Sequence, residues 1–123
     1  DGQTRELIRR ALEKDGWQVS EAENGRAALD EIEKQMPGLV ILDLMMPVMD
    51  GFEFLAEFRK KEEGATVPVI VVTAKDLTPE DQQLLQGNVD RVIQKGEYSL
   101  KKLFDEVRDM VSRYIPRKTE TKE

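Results

Sequence analysis

The spacing of apolar residues along the chain switches repeatedly between the period of a helix and that of a strand. Helical spacing predicts a first helix over Thr4–Lys14, capped by its opening threonine and stopped by Gly16. The alternation of apolar and polar residues over Trp17–Ala22 predicts a short, half-exposed strand. Asn24 and Gly25 then open a second amphipathic helix.

Two continuous apolar runs in the middle of the chain predict strands that are buried on both faces. They are Leu39–Leu42 and Val67–Val72, and both contain β-branched residues. A third helix is predicted between them, after the loop Met45–Gly51. Its basic end, Arg59–Lys61, is interpreted as a solvated helix terminus favoured by the helix dipole.

The last third of the chain continues this alternation. Thr78 starts a short helix, a last strand is predicted to end at Lys95, and Leu100–Tyr114 carries the apolar stripe of an amphipathic helix. Strands that alternate with helices predict an α/β fold, a doubly wound and mostly parallel sheet. We expect one domain over residues 1–116, followed by a polar tail at residues 117–123.

Composition removes several classes of chemistry. The 123 residues include neither Cys nor His, which excludes disulfides, thiol nucleophiles, imidazole bases and most transition-metal sites. The net charge of −6 and the sequence pI of about 4.9 argue against direct binding to nucleic acid or to anionic lipid. No apolar run approaches the roughly 18 residues that span a bilayer, and no secretory signal pattern occurs. We therefore expect a cytoplasmic domain without membrane insertion.

Three residues that can take part in chemistry come directly after predicted strands: Asp43, Thr73 and Lys95. Ligands of doubly wound folds gather where the carboxyl ends of parallel strands meet. A carboxylate that follows four aliphatic residues has to be hydrated, paired or bound to a metal, because an isolated buried charge is strongly unfavourable. The sequence therefore predicts one site that combines a carboxylate, a hydroxyl and an ammonium group.

The segment Leu39–Gly51, LVILDLMMPVMDG, resembles the phosphorylation-site motif of response-regulator receiver domains. Thr73 follows Asp43 by 30 residues and Lys95 follows it by 52, and both separations match the usual spacing of the family. Val67–Lys75 resembles the fourth strand of the family with its switch hydroxyl. The resemblance covers the whole predicted domain and implies a flavodoxin-like (βα)5 fold.

The resemblance implies a phosphoacceptor of a two-component phosphorelay, which catalyses only its own phosphotransfer and dephosphorylation. Asp43 would receive a phosphoryl group from the phosphohistidine of a histidine kinase or a histidine phosphotransfer protein. Mg²⁺, or Mn²⁺ in its place, would contact Asp43 and the backbone carbonyl of Met45. Thr73, Ala74 and Lys95 would bind the phosphoryl group, and the surface of the last strands and helices would then switch.

Two features of the sequence differ from the family pattern. Val92 stands where many members have an aromatic residue that moves with the switch hydroxyl, and its surroundings resemble the receivers of hybrid sensor kinases, so a fused kinase or output domain is expected. The metal-binding acidic pair is expected before Asp1, on a first strand that is absent from this sequence. Without that central strand, Trp17–Ala22 would have no neighbour on its inner side.

Two other functions compete with the phosphoacceptor. A degenerate receiver that acts as a phosphorylation-independent interaction module is favoured by the missing acidic pair, whereas Asp43, Thr73 and Lys95 favour phosphorylation. A small doubly wound protein of another kind, such as a phosphatase or a flavin carrier, is the third interpretation. The flavin carrier is disfavoured because no Gly-rich phosphate loop occurs.

Overall fold

A computed structural model describes residues 2–94 and 99–114 of the chain. Within these ranges three parallel strands form one sheet in the order β1-β2-β3. The strands are β1 (Val40–Leu42), β2 (Val69–Thr73) and β3 (Arg91–Gln94). The helices are α1 (Gly2–Lys14), α2 (Gly25–Lys34), α3 (Gly51–Lys60), α4 (Pro79–Leu85) and α5 (Leu100–Tyr114), with a single 3₁₀ turn at Glu63–Ala65. None of the helices in the described ranges has the length and apolarity needed to cross a bilayer.

The central strand β2 carries a hydrophobic core on each of its faces. All five of its residues are buried. Val69 and Val71 belong to a cluster with apolar side chains of α2, α3 and α4, whereas Ile70 and Val72 belong to a second cluster with side chains of α1 and α5. Helices on both faces of a parallel sheet confirm the predicted doubly wound α/β fold.

The strand predicted over Trp17–Ala22 is wrong for this structure. The segment keeps the predicted alternation, since Trp17 and Val19 are half-buried while Gln18 and Ser20 are exposed, yet it pairs with no strand in the described part of the chain. The alternation of apolar and polar residues indicates which side chains are buried. A strand also needs a neighbouring strand that forms hydrogen bonds with its backbone. The segment therefore packs as an extended connection beside the core of α1 and α5.

Of the two predicted ends of α1, the start is wrong and the stop is confirmed. The N-cap predicted at the first residue of Thr4–Lys14 is wrong, because α1 already begins at Gly2. The stop at Gly16 is confirmed: its φ of +97° lies in the left-handed region, which glycine adopts without steric penalty, and its amide donates to the carbonyl of Glu13 at 3.0 Å.

The interpretation of Arg59 as part of a solvated helix end is also wrong. Its guanidinium is half-buried and donates to three backbone carbonyls, of Gly64 and Val67 at 2.7 Å each and of Asn88 at 2.5 Å. The side chain thereby ties the end of α3 to the loops that lead into β2 and β3. Sequence pattern could not show this, because the acceptors are carbonyls that only the folded chain brings together.

We predict that Arg59→Met lowers the free energy of unfolding by about 2–4 kcal/mol, because it leaves three part-buried carbonyls without their charged donor. Lys60→Met is the matched control, since the Lys60 side chain is 73% exposed and should change stability by less than about 0.5 kcal/mol. Urea unfolding measures both variants. Equal effects of the two substitutions would contradict this role for Arg59.

Candidate functional site

The carboxyl ends of the three strands meet at one edge of the sheet. Leu42 is paired with Val71, and Thr73 is paired with Gln94, so the chain leaves β1 at Asp43 beside the end of β2. The structure therefore places Asp43 and Thr73 at the same edge of the sheet. Lys95 lies outside the described residues, although Gln94, which precedes it, is the strand partner of Thr73.

Asp43 begins the loop that connects β1 to α3. Its side chain is half-buried, and Oδ1 accepts a hydrogen bond from the backbone amide of Met45 at 3.1 Å. A carboxylate that accepts from the amide two residues later forms a local turn, and this turn holds the side chain at the end of the strand. Met45 itself is 57% exposed, so the outer side of this loop faces solvent.

Gly51 lets α3 begin in direct contact with the backbone of Asp43 and Leu44. Its amide donates to the carbonyl of Leu44 at 3.1 Å, and a Cβ at position 51 would lie 2.7 Å from the carbonyl oxygen of Asp43. Asp50 caps the helix, because its side chain accepts from the Glu53 amide while the Glu53 side chain accepts from the Asp50 amide. The D-x-x-E pattern before an apolar run is the signal that sequence reasoning missed.

A second anchor fixes the tip of the same loop. Val48 has a φ of 65° and is 82% exposed, although a β-branched residue in the left-handed region costs about 1–2 kcal/mol. The following residue, Met49, accepts from the Gly25 amide at 2.9 Å and ties the loop to the start of α2. Neighbouring contacts of this kind are what sustain a strained backbone at one position.

Thr73 is fully buried at the end of β2. Its Oγ1 accepts a hydrogen bond from the Lys75 amide at 3.1 Å. This bond uses one acceptor position of the hydroxyl and leaves the O–H group able to donate. Ala74 follows in an exposed position, so the chain turns outward immediately after the threonine.

Lys75 makes contacts that the sequence did not predict. Its Nζ lies 2.6 Å from Oδ2 of Asp81, and its carbonyl accepts from Nε2 of Gln94 at 3.0 Å. Asp81 also completes a capping box with Thr78 at the start of α4. The bond from Lys75, assisted by the Thr78 amide, holds the pKa of Asp81 below its ordinary value. The T-x-x-D pattern at the helix start was visible in the sequence, but the lysine partner was not.

Val92 lies half-buried in β3, packed against the cluster that β2 forms with α2, α3 and α4. The side chain at this position is therefore part of the core and is paired on the sheet with Val71. Instead of an aromatic ring, this position thus presents a small side chain to that cluster.

The oxygen donors of the site fit Mg²⁺ in kind. Mg²⁺ prefers carboxylate and carbonyl oxygens, and it is often bound through one or two carboxylates while it keeps several waters. Among the described residues no group of three acidic side chains is placed to hold a metal. Asp43 is the carboxylate that directly follows β1 at this edge of the sheet. The acidic pair expected before Asp1 lies outside the described residues.

We predict that Gly51→Ala destabilises the protein by about 1–3 kcal/mol, because the new methyl group would overlap the backbone of Asp43 and Leu44. Gly38→Ala, at an exposed position, is the control and should have a much smaller effect. Thermal unfolding followed by circular dichroism compares the two. An unchanged thermal unfolding midpoint for Gly51→Ala would contradict the prediction, because it would show that the loop accommodates the methyl group without loss of stability.

We also predict how the pKa of Asp81 responds to the loss of the Lys75 ammonium group. Because its pKa is lowered in the folded state, its contribution to stability is present above the ordinary aspartate pKa and is lost as pH falls through the lowered value. Lys75→Met should raise the pKa of Asp81 toward its ordinary value, as measured by NMR of the side-chain carboxyl carbon. Lys101→Met, which removes an exposed lysine on α5, should leave that pKa unchanged. A pKa of Asp81 that is identical in Lys75→Met and the unsubstituted chain would contradict the assignment.

Comparisons with known proteins agree with the fold described above. A family model described as "Response regulator receiver domain" matches residues 1–108. Response regulator MprA of Mycolicibacterium vanbaalenii is 35% identical over 116 residues, which are 94% of this chain and 49% of that protein. Sporulation initiation phosphotransferase F of Bacillus subtilis is 33% identical over 119 residues, with 92% of this chain and 86% of that protein covered. The chain thus spans about half the length of MprA.

A solved structure shows the same fold with a metal bound. The receiver domain of sensor histidine kinase PA1611 from Pseudomonas aeruginosa PAO1 has a magnesium ion coordinated in its active site cleft. It matches with a TM-score of 0.78 at 25% identity, over 95% of this chain and 92% of that one. The likeness confirms the flavodoxin-like receiver architecture that the sequence predicted.

Proposed function

Because this chain belongs to the family of response regulator receiver domains, we propose that it is a phosphoacceptor of two-component signalling and that Asp43 receives the phosphoryl group. The observation that carries the residue assignment is the position of Asp43 at the end of β1, beside the end of β2 where the Thr73 hydroxyl is held. One edge of the sheet thus offers an anionic nucleophile and a hydroxyl donor.

The proposed donor is a phosphohistidine on a histidine kinase or a histidine phosphotransfer protein. An oxygen of the Asp43 carboxylate attacks phosphorus, and a new P–O bond forms as the P–N bond to imidazole breaks. The electron pair of the broken bond stays on the imidazole nitrogen of the donor. The product is an acyl phosphate on this chain, and no oxidant or further reactant is required.

Stabilisation of the charge on the transferring group is the main task of such a site. The O–H of Thr73 would donate to one phosphoryl oxygen, and the backbone amide of Ala74 lies in the same turn. Lys95 would supply the ammonium group, since it directly follows the strand residue that pairs with Thr73. The protein then acts on its own acyl phosphate and on no other substrate.

A divalent cation would complete the site. Mg²⁺, or Mn²⁺, would be held by the Asp43 carboxylate, the Met45 carbonyl and the acidic pair expected before Asp1, and would neutralise charge on the phosphoryl group. The residues that the structure describes supply one of these carboxylates. Metal affinity is therefore expected to depend strongly on Asp43.

The partners follow from the same chemistry. A phosphohistidine donor is implied by the family, and the half-length match to MprA is compatible with a fused kinase or output domain. The proposed receiver domain covers residues 1–116, with residues 117–123 as a polar tail. Such a domain acts in the cytoplasm, and neither nucleic acid nor a membrane is a direct ligand in this proposal.

The alternative function is a receiver that binds its partner without phosphorylation. The two functions differ in a single measurable property, which is whether an acyl phosphate forms.

We predict that the protein, with any strand upstream of Asp1 restored, forms an acyl phosphate with acetyl phosphate and Mg²⁺, and that Asp43→Asn forms none. Intact-protein mass spectrometry detects the adduct, and hydroxylamine should remove it because acyl phosphates are cleaved by this nucleophile. Removal of Mg²⁺ with a chelator should abolish or greatly slow the reaction.

Asp76→Asn is the matched control, because Asp76 is an exposed aspartate that follows β2 rather than β1. It should accept a phosphoryl group as the unsubstituted chain does. An adduct that survives in Asp43→Asn would refute the residue assignment. No adduct on the unsubstituted chain at saturating Mg²⁺ would favour the phosphorylation-independent module.

A further inference from the structure

Lys75 makes three polar contacts, each with a residue from a different part of the fold. Its amide donates to Oγ1 of Thr73 at 3.1 Å, its carbonyl accepts from the Gln94 side chain at 3.0 Å, and its ammonium lies 2.6 Å from the Asp81 carboxylate. These partners belong to the end of β2, the end of β3 and the start of α4. One loop residue is thus held through its amide, its carbonyl and its side chain.

Stability alone does not account for this arrangement. An ion pair between partly exposed groups contributes little to the free energy of folding, and the Lys75 and Asp81 side chains are 34% and 14% exposed. The Lys75 amide lies in the peptide unit between Ala74 and Lys75, whereas the Lys75 carbonyl lies in the next unit. The contacts of the carbonyl and of the side chain restrict the position of residue 75 itself, and its amide is bonded to the hydroxyl of Thr73. They therefore restrain the amide that sets the direction of that hydroxyl.

The direction of the hydroxyl follows from its hydrogen-bonding capacity. A hydroxyl has one donor and two acceptor positions, so an amide that occupies an acceptor position turns the O–H away from itself. If residue 75 were free to move, its amide would leave Thr73 and the hydroxyl would lose this orientation. The Gln94 bond restrains residue 75 through its carbonyl, and the Asp81 ion pair restrains it through its side chain.

We propose that Lys75 is a positioning residue of the phosphoacceptor site, which is fixed by Gln94 and Asp81 and which in turn fixes the Thr73 hydroxyl as a donor. This inference rests on the proposed phosphorylation of Asp43. Gln94 and Asp81 touch no reacting atom and act only through Lys75 and Thr73. A donor that is already oriented stabilises developing charge without reorganisation at the moment of reaction.

The first test measures the rate of phosphorylation by acetyl phosphate at saturating Mg²⁺. Gln94→Leu removes the amide donor, and Lys75→Met removes the ion pair while it keeps both backbone contacts. Each should slow the reaction by a factor between about 3 and 30. Lys75→Arg keeps a cation for Asp81 and should restore most of the rate, whereas Lys101→Met, the loss of an 87% exposed lysine on α5, should change nothing.

The second test asks whether these side chains act through the Thr73 hydroxyl. Thr73→Val removes the hydroxyl and keeps the branched shape that β2 buries. In that background Gln94→Leu and Lys75→Met should each change the rate by less than about twofold, because the hydroxyl that they position is gone. The same slowing in both backgrounds would overturn the proposal, since a purely structural role is independent of the hydroxyl.

The third test does not depend on phosphorylation. Hydrogen exchange of the residue 75 amide, corrected for its intrinsic rate, reports the bond to Thr73. Gln94→Leu, Lys75→Met and Thr73→Val should each lose protection at this amide, and Lys101→Met should keep it. Unchanged protection in Gln94→Leu and Lys75→Met would overturn the proposal even if Asp43 is phosphorylated. Lost protection in a chain that forms no acyl phosphate would show that the proposed function has failed, while the positioning of Thr73 stands.

Discussion

The burial of β2 on both faces is the constraint on which the rest of the structure depends. All five of its residues are inaccessible, so their backbone groups have to be bonded by strands on either side and their side chains covered by helices above and below. Parallel pairing follows because the connections to β1 and β3 pass through helices. The fold thus gives the backbone of β2 a parallel strand to bond on each side.

The same constraint creates the site. Parallel strands end at one edge, so the residues that follow β1 and β2 are neighbours whatever their separation in the chain. Their buried or half-buried side-chain oxygens need hydrogen-bond partners, and each has one in a local backbone amide. Asp43 accepts from the amide of Met45, and Thr73 accepts from that of Lys75. The two turns have the same form, a side-chain oxygen bonded to the amide two residues later.

Sequence reasoning succeeded where a pattern has a single physical cause. Continuous apolar runs correctly predicted β1 and β2 as strands, and burial on both faces holds for β2, whereas Val40 and Ile41 of β1 are half-buried. Gly16 correctly predicted the end of α1 because few residues accept its φ. It failed at Trp17–Ala22, where side-chain alternation was correct but no partner strand is present in the described chain. It also failed at Arg59, whose acceptors are carbonyls of the turn that follows α3 and of the more distant loop before β3.

The sequence by itself determined the fold class, the family and the pair of residues at the strand ends. These depend on the order of apolar and polar residues and on spacing along the chain, which is a one-dimensional property. Only the tertiary structure decided how the site is held. The contacts of Lys75 with Asp81 and Gln94 join α4 and β3 to the end of β2, and contacts between elements far apart in the chain leave no periodic trace. Their geometry exists only once the sheet has brought the strand ends together.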